Sequence, residues 1–299
     1  MNVVALVVTY KRKELLSKVL DSLCHQTHRI KDIIVVDNNS CDGTDKLVDQ
    51  LAQEHDNIKY FNTGANLGGA GGFSFGFEVT KNIDYDYLWL MDDDLMPELD
   101  CLEVLLKNRP TGIAQPMRFN LDGTCAEISP VEYNLKKIFC TNPKTYTVAD
   151  IYESIKNEDT IEIAGVPFEG PLINRSVIEA VGIPNPDFFI FNDDLDYSIR
   201  SRIAGFSIEC IVKAKANRLL YNVQANDLKS WKGYFMLRNH FYILRKYGEN
   251  TLVKNRSILI SLFYVTKSLL KLDRHLLSVV TRAYFDSFKL SNNERNKPN

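Results

Sequence analysis

Residues Tyr87–Leu95 read YLWLMDDDL, an apolar run that passes directly into three consecutive aspartates. An unbroken apolar segment of this length suits a strand buried on both faces. Three adjacent like charges repel one another, and each costs more as it leaves water. If the backbone stays extended past Met91, Asp92 and Asp94 point to one side and Asp93 to the other. Two carboxylates on one side make half a site for a hard divalent cation, because Mg2+ and Mn2+ take oxygen ligands and combine one or two carboxylates with substrate phosphates. A solvated acidic turn, or a cap for the helix pattern that follows at ELDCLEVLLKN, accounts for the same residues.

Working outward, the neighbouring segments supply partners for that strand. VVALVVTY (Val3–Tyr10) and KDIIVVDNNS, whose apolar run ends at Asp37, read as buried strands, and NIKYFNT as a third. Between them, Leu15, Leu16, Val19, Leu20 and Leu23 fall at helical spacing, CDGTDKLVDQLAQEH gives a turn and a helix with Asp42 or Thr44 as cap, and NLGGAGGFSFGFEVTKN a Gly-rich turn entering a helix. Four alternations at βαβ spacing predict an α/β fold with a mainly parallel, doubly wound sheet. Ligands in such sheets bind beyond the carboxyl ends of the strands. The polar clusters Thr9–Arg12, Asp37–Thr44, Asn66–Gly72 and Asp92–Asp94 all fall there. Residues 112–160 are irregular and are expected to hold mixed strands and a long loop. IEIAGVPFEGPLINRSVIEAVG then returns to strand, turn and helix, FIFNDDLDY (Phe189–Tyr197) places a second acidic cluster at a helix start, and the chain after Asn226 reads as helical. The expected organisation is a catalytic-type domain over 1–226, a helical region over 227–299, and a disordered tail from about 291.

Composition narrows the classes. The chain has 299 residues, 45% hydrophobic and 25% charged, with a net charge of −2, so nothing global points to nucleic acid. The charge is uneven: residues 251–299 carry nine Lys/Arg against three acids, a net of +6, which leaves −8 on the rest. A basic helical tail on an acidic body suits contact with an anionic surface, and its apolar helical spacing equally suits packing on the catalytic domain or a helical dimer interface. Six scattered cysteines without a CxxC pair suit reduced thiols. The N-terminus lacks signal-peptide features, and no apolar stretch nears the ~18–20 residues that span a bilayer. The expectation is a cytoplasmic protein, soluble or peripheral on the inner face of the membrane, with oligomerisation left open.

Three further motifs carry chemistry. Gly68, Gly69, Gly71 and Gly72 lie within five residues at a helix start, where backbone N–H groups can approach an anion; tight helix–sheet packing explains the same pattern. No GK[ST] follows, which excludes a P-loop. Asp37, at a strand end, can accept from a base imide or a ribose hydroxyl, or it can organise an Asx-type turn with Asn38, Asn39 and Ser40. Asp193 and Asp194 open a helix whose dipole favours their ionised form. There one of them can act as general base toward an acceptor hydroxyl, or cap the helix.

Taken together, VVTYKR, VVDNNSCDGT, NLGGAGGF, LWLMDDDLMP and FNDDLDYSIR occur in the order and at intervals that resemble the inverting glycosyltransferases of family 2, with the GT-A fold. The resemblance covers about residues 2–206. It looks most like the bacterial galactofuranosyltransferases, and rhamnosyltransferases of cell-surface polysaccharide synthesis are similar. It implies a nucleotide pocket lined by Thr9, Tyr10 and Arg12, with Asp37 at the uracil. Asn66 and the Gly68, Gly69, Gly71 and Gly72 loop would lie along the diphosphate and donor sugar, with Asp93 near the donor. Asp92 and Asp94 would hold Mn2+ or Mg2+, Asp194 would be the base and Asp193 its neighbour. The implied donor is UDP-galactofuranose and the implied acceptor a lipid-linked glycan of the O-antigen or capsule type.

In one respect the sequence departs from the pattern. Related enzymes supply a histidine ligand shortly after the base helix, and KAKANRLLYNVQAND contains none. Asn222, Asp227 and His240 are the candidates for that place. Arg238 and Lys246 in LRNHFYILRKY are candidates for phosphate or lipid. The competing functions are a rhamnosyltransferase using dTDP-rhamnose and a non-catalytic nucleotide-sugar-binding scaffold. A nucleotidyltransferase is disfavoured, because the first strand ends in TYKR rather than in a Gly-rich basic loop.

Overall fold

The computed structural model describes residues 1–140, 143–221, 228 and 230–292. Asn222 and Asp227 lie outside the described residues. In chain order the strands are β1 (Val3–Thr9), β2 (Asp32–Asp37), β3 (Ile58–Asn62), β4 (Tyr87–Asp92), β5 (Leu95–Pro97), β6 (Ile113–Asn120), β7 (Pro130–Tyr133), β8 (Lys144–Thr147), β9 (Thr160–Glu162), β10 (Leu172–Asn174) and β11 (Ile208–Arg218). The helices are α1 (Lys13–Cys24), α2 (Thr44–Glu54), α3 (Gly68–Thr80), α4 (Cys101–Lys107), α5 (Tyr152–Ile155), α6 (Arg175–Val181), α7 (Asp193–Ile203), α8 (Lys232–Tyr247), α9 (Thr251–Lys254), α10 (Arg256–Leu270) and α11 (Arg274–Asp286).

The main sheet runs β3-β2-β1-β4-β10-β6-β11-β5, with β9 also on β11. β3, β2, β1 and β4 are parallel, as the βαβ spacing predicts. Period-two alternation along β1 splits its side chains between two helical layers. Ala5 and Val7 pack with Leu16, Val19 and Leu20 of α1 and Leu102 and Leu105 of α4. Leu6 and Val8 meet Phe73 and Phe77 of α3 and Tyr197 of α7. The register sets Thr9 beside Asp37 and Val8 beside Asp92, so the polar ends of three strands share one edge.

The irregular region resolves into the hairpin β7–β8, pairing antiparallel, and the short antiparallel strand β10 inserted between β4 and β6. β10 is entered through Gly170, at φ +98°, whose carbonyl accepts from Trp89 Nε1 at 2.8 Å. That turn brings Glu169 against the end of β4. The C-terminal helices pack on α8 through Val279, Val280 and Ala283 of α11 against Tyr234, Phe235 and Phe241. The expectation of disorder from residue 291 is corrected at its start. Ser291 O accepts from Arg238 Nη1 at 3.0 Å, and Asn292 Nδ2 donates to Pro186 O at 2.7 Å. The rest of that tail lies outside the described residues.

Candidate active site

β4 ends at Asp92, and Asp93–Asp94 form a turn leading into β5. The backbone therefore stays extended only through Asp92, and the alternation argument does not reach Asp94. What separates the three aspartates is hydrogen bonding. Asp93 is buried and committed to the fold: its Oδ2 accepts from Thr9 Oγ1 at 2.8 Å and Tyr10 N at 3.2 Å, and its Oδ1 from Arg12 Nη1 at 3.0 Å. The same Arg12 nitrogen reaches Asp94 Oδ2 at 3.0 Å. Thr9, Tyr10 and Arg12 are thus gathered on the acidic turn. Asp92, half-buried, has no hydrogen-bond or ion-pair partner among the described residues. Burial, Asp94 and Glu169 push its pKa well up. Burial and Glu169 raise Asp94 to about 6, against the pull of Arg12.

Glu169 is a neighbour that sequence reasoning missed. It pairs with Arg118, and with Arg218 at 3.3 Å. Arg118 is fully buried and grips Glu127 through Nε at 2.8 Å and Nη2 at 2.9 Å. Glu169 stands in VPFEGP, where its one signal is an acid just before a Gly-Pro turn at a strand start.

Asp37 is buried and answers to its own turn. Oδ1 accepts from Ser40 N at 2.9 Å and Ser40 Oγ at 2.5 Å, and Oδ2 from Tyr60 Oη at 2.7 Å. In the Gly loop, Asn66 Oδ1 accepts from Gly68 N at 2.9 Å. Gly68 has φ +72°, and a Cβ there would stand 2.1 Å from Phe189 O. A Cβ on Gly72 would stand 2.6 Å from Val8 Cγ1. Gly71 is backed by Leu67, and Gly69 alone of the four has open space. Close packing therefore accounts for three of these glycines, and the start of α3 is held under the loop that carries Phe189.

That loop leads to the second acidic cluster. Phe189, Phe191 and Asn192 all have left-handed backbones, at φ 63°, 67° and 66°, a conformation that costs non-glycine residues energy. α7 starts at Asp193, with Asn192 in the cap position, so neither aspartate is the cap residue. Asp193 is buried. Asp194 is half-buried, and its Oδ1 accepts from Leu195 N at 2.7 Å. Burial raises the pKa of both, and Lys144 opposes the rise at Asp194.

The loop is clamped from α8, a contact absent from the sequence reading. Asn239 Nδ2 donates to Phe188 O at 3.1 Å, Ile190 O at 2.7 Å and Phe191 O at 2.9 Å. Arg238 Nη2 donates to Asp187 O at 2.7 Å and Phe188 O at 3.0 Å. Arg238 is fully buried, which corrects its assignment to phosphate or lipid. Lys246 is likewise tied to Asp196 Oδ1 at 2.9 Å. His240 stands beside Arg256, and burial with that charge lowers it to about 4. Among the described residues no three His, Cys, Asp or Glu side chains come together as a ligand set, His240 included.

The donor set still fits a divalent cation. Asp92 is an unpartnered carboxylate among others, and its repulsion from Asp94 and Glu169 is what a bound cation would relieve. Asp92 and Asp94 would contribute the protein's oxygens and leave the remaining positions to substrate.

Comparison with known proteins agrees with this architecture. The model of Glycosyl transferase family 2 matches residues 4–182. Galactofuranosyltransferase GlfT1 of Mycolicibacterium smegmatis is 30% identical over 198 residues, which cover 65% of this chain and 63% of that protein, short of two thirds of its length. GlfT1 of Mycobacterium tuberculosis is 26% identical over 282 residues, 88% of this chain and 89% of that one. The mannosyltransferase PcManGT of Pyrobaculum calidifontis, solved with GDP-Man and Mn2+, superposes with a TM-score of 0.59 at 14% identity, over 96% of this chain and 87% of its own, and shares the fold. With a GT-A sheet, acidic clusters at the carboxyl ends of its strands and a family match over more than half its length, the chain belongs to Glycosyl transferase family 2.

Proposed function

We propose that this protein transfers galactofuranose from UDP-galactofuranose, with inversion, to a hydroxyl of a lipid-linked glycan, in the assembly of a bacterial surface polysaccharide of the O-antigen or capsule type. The observation that carries the reading is the pairing of two acidic clusters in one half-buried site. Asp92 and Asp94 stand at the end of β4 and in the turn after it, and Asp194 opens α7, close enough to feel the same Glu169. The similarity to the two galactofuranosyltransferases favours the donor.

In this reading Thr9, Tyr10 and Arg12 frame the nucleotide, with Asp37 toward the base. Asn66 and the Gly68–Gly72 turn, with Gly69 uncovered, receive the donor sugar and diphosphate at the start of α3. Asp93 holds Thr9 and Arg12 in place beside the donor. Mn2+ or Mg2+, when bound, supplies positive charge against the departing diphosphate. Asp194 takes the proton of the acceptor hydroxyl as its oxygen attacks from the face opposite the leaving group. Asp193 is its buried neighbour, and the raised pKa of Asp194 makes it a better proton acceptor once ionised.

Exposed Leu259, Leu262, Phe263, Leu270 and Phe285 on and beside α10 and α11, among Lys267, Lys271, Arg274 and Arg282, suit a cytoplasmic-face anionic bilayer as the support for a lipid-linked acceptor. No helix among the described residues is long and apolar enough to cross a membrane. The test is turnover with UDP-galactofuranose and with dTDP-rhamnose on a lipid-linked acceptor mimic, with and without EDTA. UDP release and product from the former, lost in EDTA and restored by Mn2+ or Mg2+, is the expected result. Turnover with dTDP-rhamnose alone would move the assignment to a rhamnosyltransferase, and nucleotide binding without turnover would leave a scaffold.

A further inference from the structure

Arg256 opens α10 and is 4% exposed. Its Nη1 donates to Lys137 O at 3.2 Å, while Nε and Nη2 are buried without any hydrogen-bond partner among the described residues. Those two groups form the side-on fork of a guanidinium, the geometry that grips an oxyanion through two parallel bonds. Arg118 in the same molecule shows the fork filled, with Nε and Nη2 both on Glu127. No ion pair among the described residues satisfies Arg256, and a buried charge left unpaired is strongly unfavourable. A fork of this kind is built to be completed by something that arrives.

Its surroundings say what. Tyr133 packs in one cluster with Leu195, next to Asp194, and with Ile260, one turn along α10 from Arg256, and it feels both charges. His240, held neutral beside Arg256, adds no competing charge. On the solvent side of the same helix, Ile258, Leu259, Leu262 and Phe263 are 41–63% exposed. A charged receptor at the root of an apolar helix, with the base nearby, matches an acceptor whose phosphate separates a sugar from a hydrocarbon chain.

We propose that the Nε/Nη2 fork of Arg256, flanked by Tyr133 and His240, is the binding site for the phosphate of a lipid-linked acceptor. The lipid part of this assignment rests on the function proposed above; the oxyanion part stands on the fork itself.

The test is calorimetric titration of the full chain, without donor or sugar, with geranyl phosphate, geraniol, inorganic phosphate and glucuronate. Geranyl phosphate is expected to bind at least ~10-fold more tightly than geraniol or inorganic phosphate and to shift the His240 imidazole resonances. Arg256→Gln is expected to lose that binding at least ~10-fold while keeping UDP binding and thermal stability, and Arg256→Lys, with charge but no fork, to fall between. Equal binding of geraniol by the wild-type chain, or unchanged binding in Arg256→Gln, overturns the site. Equal binding of inorganic phosphate overturns the lipid source, and tighter binding of glucuronate overturns phosphate in favour of a carboxylate. If Arg256→Gln fails to fold, the wild-type ranking and Arg256→Lys decide. Failure to transfer galactofuranose would sink the donor assignment without touching these titrations.

Discussion

Replacing Asn239 by alanine tests whether α8 holds the base in place. Asn239 is fully buried, and its amide donates to Phe188 O, Ile190 O and Phe191 O. Phe188 O keeps Arg238 Nη2 at 3.0 Å, but Ile190 O and Phe191 O lose this donor. Arg238 Nε also loses Asn239 Oδ1 as its acceptor. An orphaned buried group costs at least about 1 kcal/mol, so the expected destabilisation is at least about 2 kcal/mol. The functional effect follows from backbone strain. Three of the four residues before Asp193 are left-handed, each unfavourable by about 1–2 kcal/mol, and they persist because the surroundings hold them. Without the clamp the loop relaxes and carries Asp194 with it, and a displacement near 1 Å can lower turnover on the order of 100-fold. Urea unfolding, UDP titration and acceptor kinetics are the three readings. Lower stability and lower kcat with unchanged UDP affinity are expected, and Asn239→Asp should be worse, since it turns an acceptor toward carbonyls. Stability within 0.5 kcal/mol of wild type together with kcat within about twofold would show that the loop supports itself, and the positioning role would be wrong.

Three other outcomes are expected. Asp194→Asn should lower transfer by roughly 10²–10⁴-fold with UDP binding intact; retained turnover would reassign the base. Because burial raises the Asp194 pKa and the base must be ionised, wild-type kcat should climb with pH through that raised value and then level, a rise absent from the residual activity of Asp194→Asn. Asp92→Asn should weaken Mn2+ binding, read by calorimetry with UDP present, at least ~10-fold, whereas unchanged binding would remove Asp92 from the ligand set. Gly68→Ala places a Cβ 2.1 Å from Phe189 O at φ +72° and should cost about 3 kcal/mol, seen in the unfolding midpoint; a neutral effect would mean that the Phe189 loop moves freely.

The N-terminal half was legible because each element there is determined locally. β1, β2 and β4 are buried on both faces and read as unbroken apolar runs, and α1 shows its stripe at helical spacing. The candidate site residues were found for the same reason, since each sits at the end of such a strand or the start of a helix. The reading failed where placement depends on distant chain. Glu169 reaches the aspartates because Gly170 and Pro171 dock on Trp89 and Leu90, about eighty positions earlier in the chain. Asn239 is one polar residue in an aromatic helix, and only the tertiary fold sets it over the carbonyls at 188–191. The alternation assumed for the triple aspartate failed because Arg12, from after β1, bridges Asp93 and Asp94 in a turn.

The strand order has a consequence for how the chain comes together. β3, β2, β1 and β4 are complete once residue 92 has been made, and each joins the sheet across a single helix. The other side of the sheet needs β6, β10 and β11, which meet across contacts up to about a hundred positions apart. Short-range contacts close quickly and long-range ones slowly, so the half of the sheet from β3 to β4 is expected to gain structure on the ribosome while the other half waits for residues 113–218. In that interval the open edge of β4, later covered by β10, is the surface on which a nascent chain would capture a wrong strand. An aspartate-rich turn at the end of that edge limits the hazard, because like-charged chains arriving there repel.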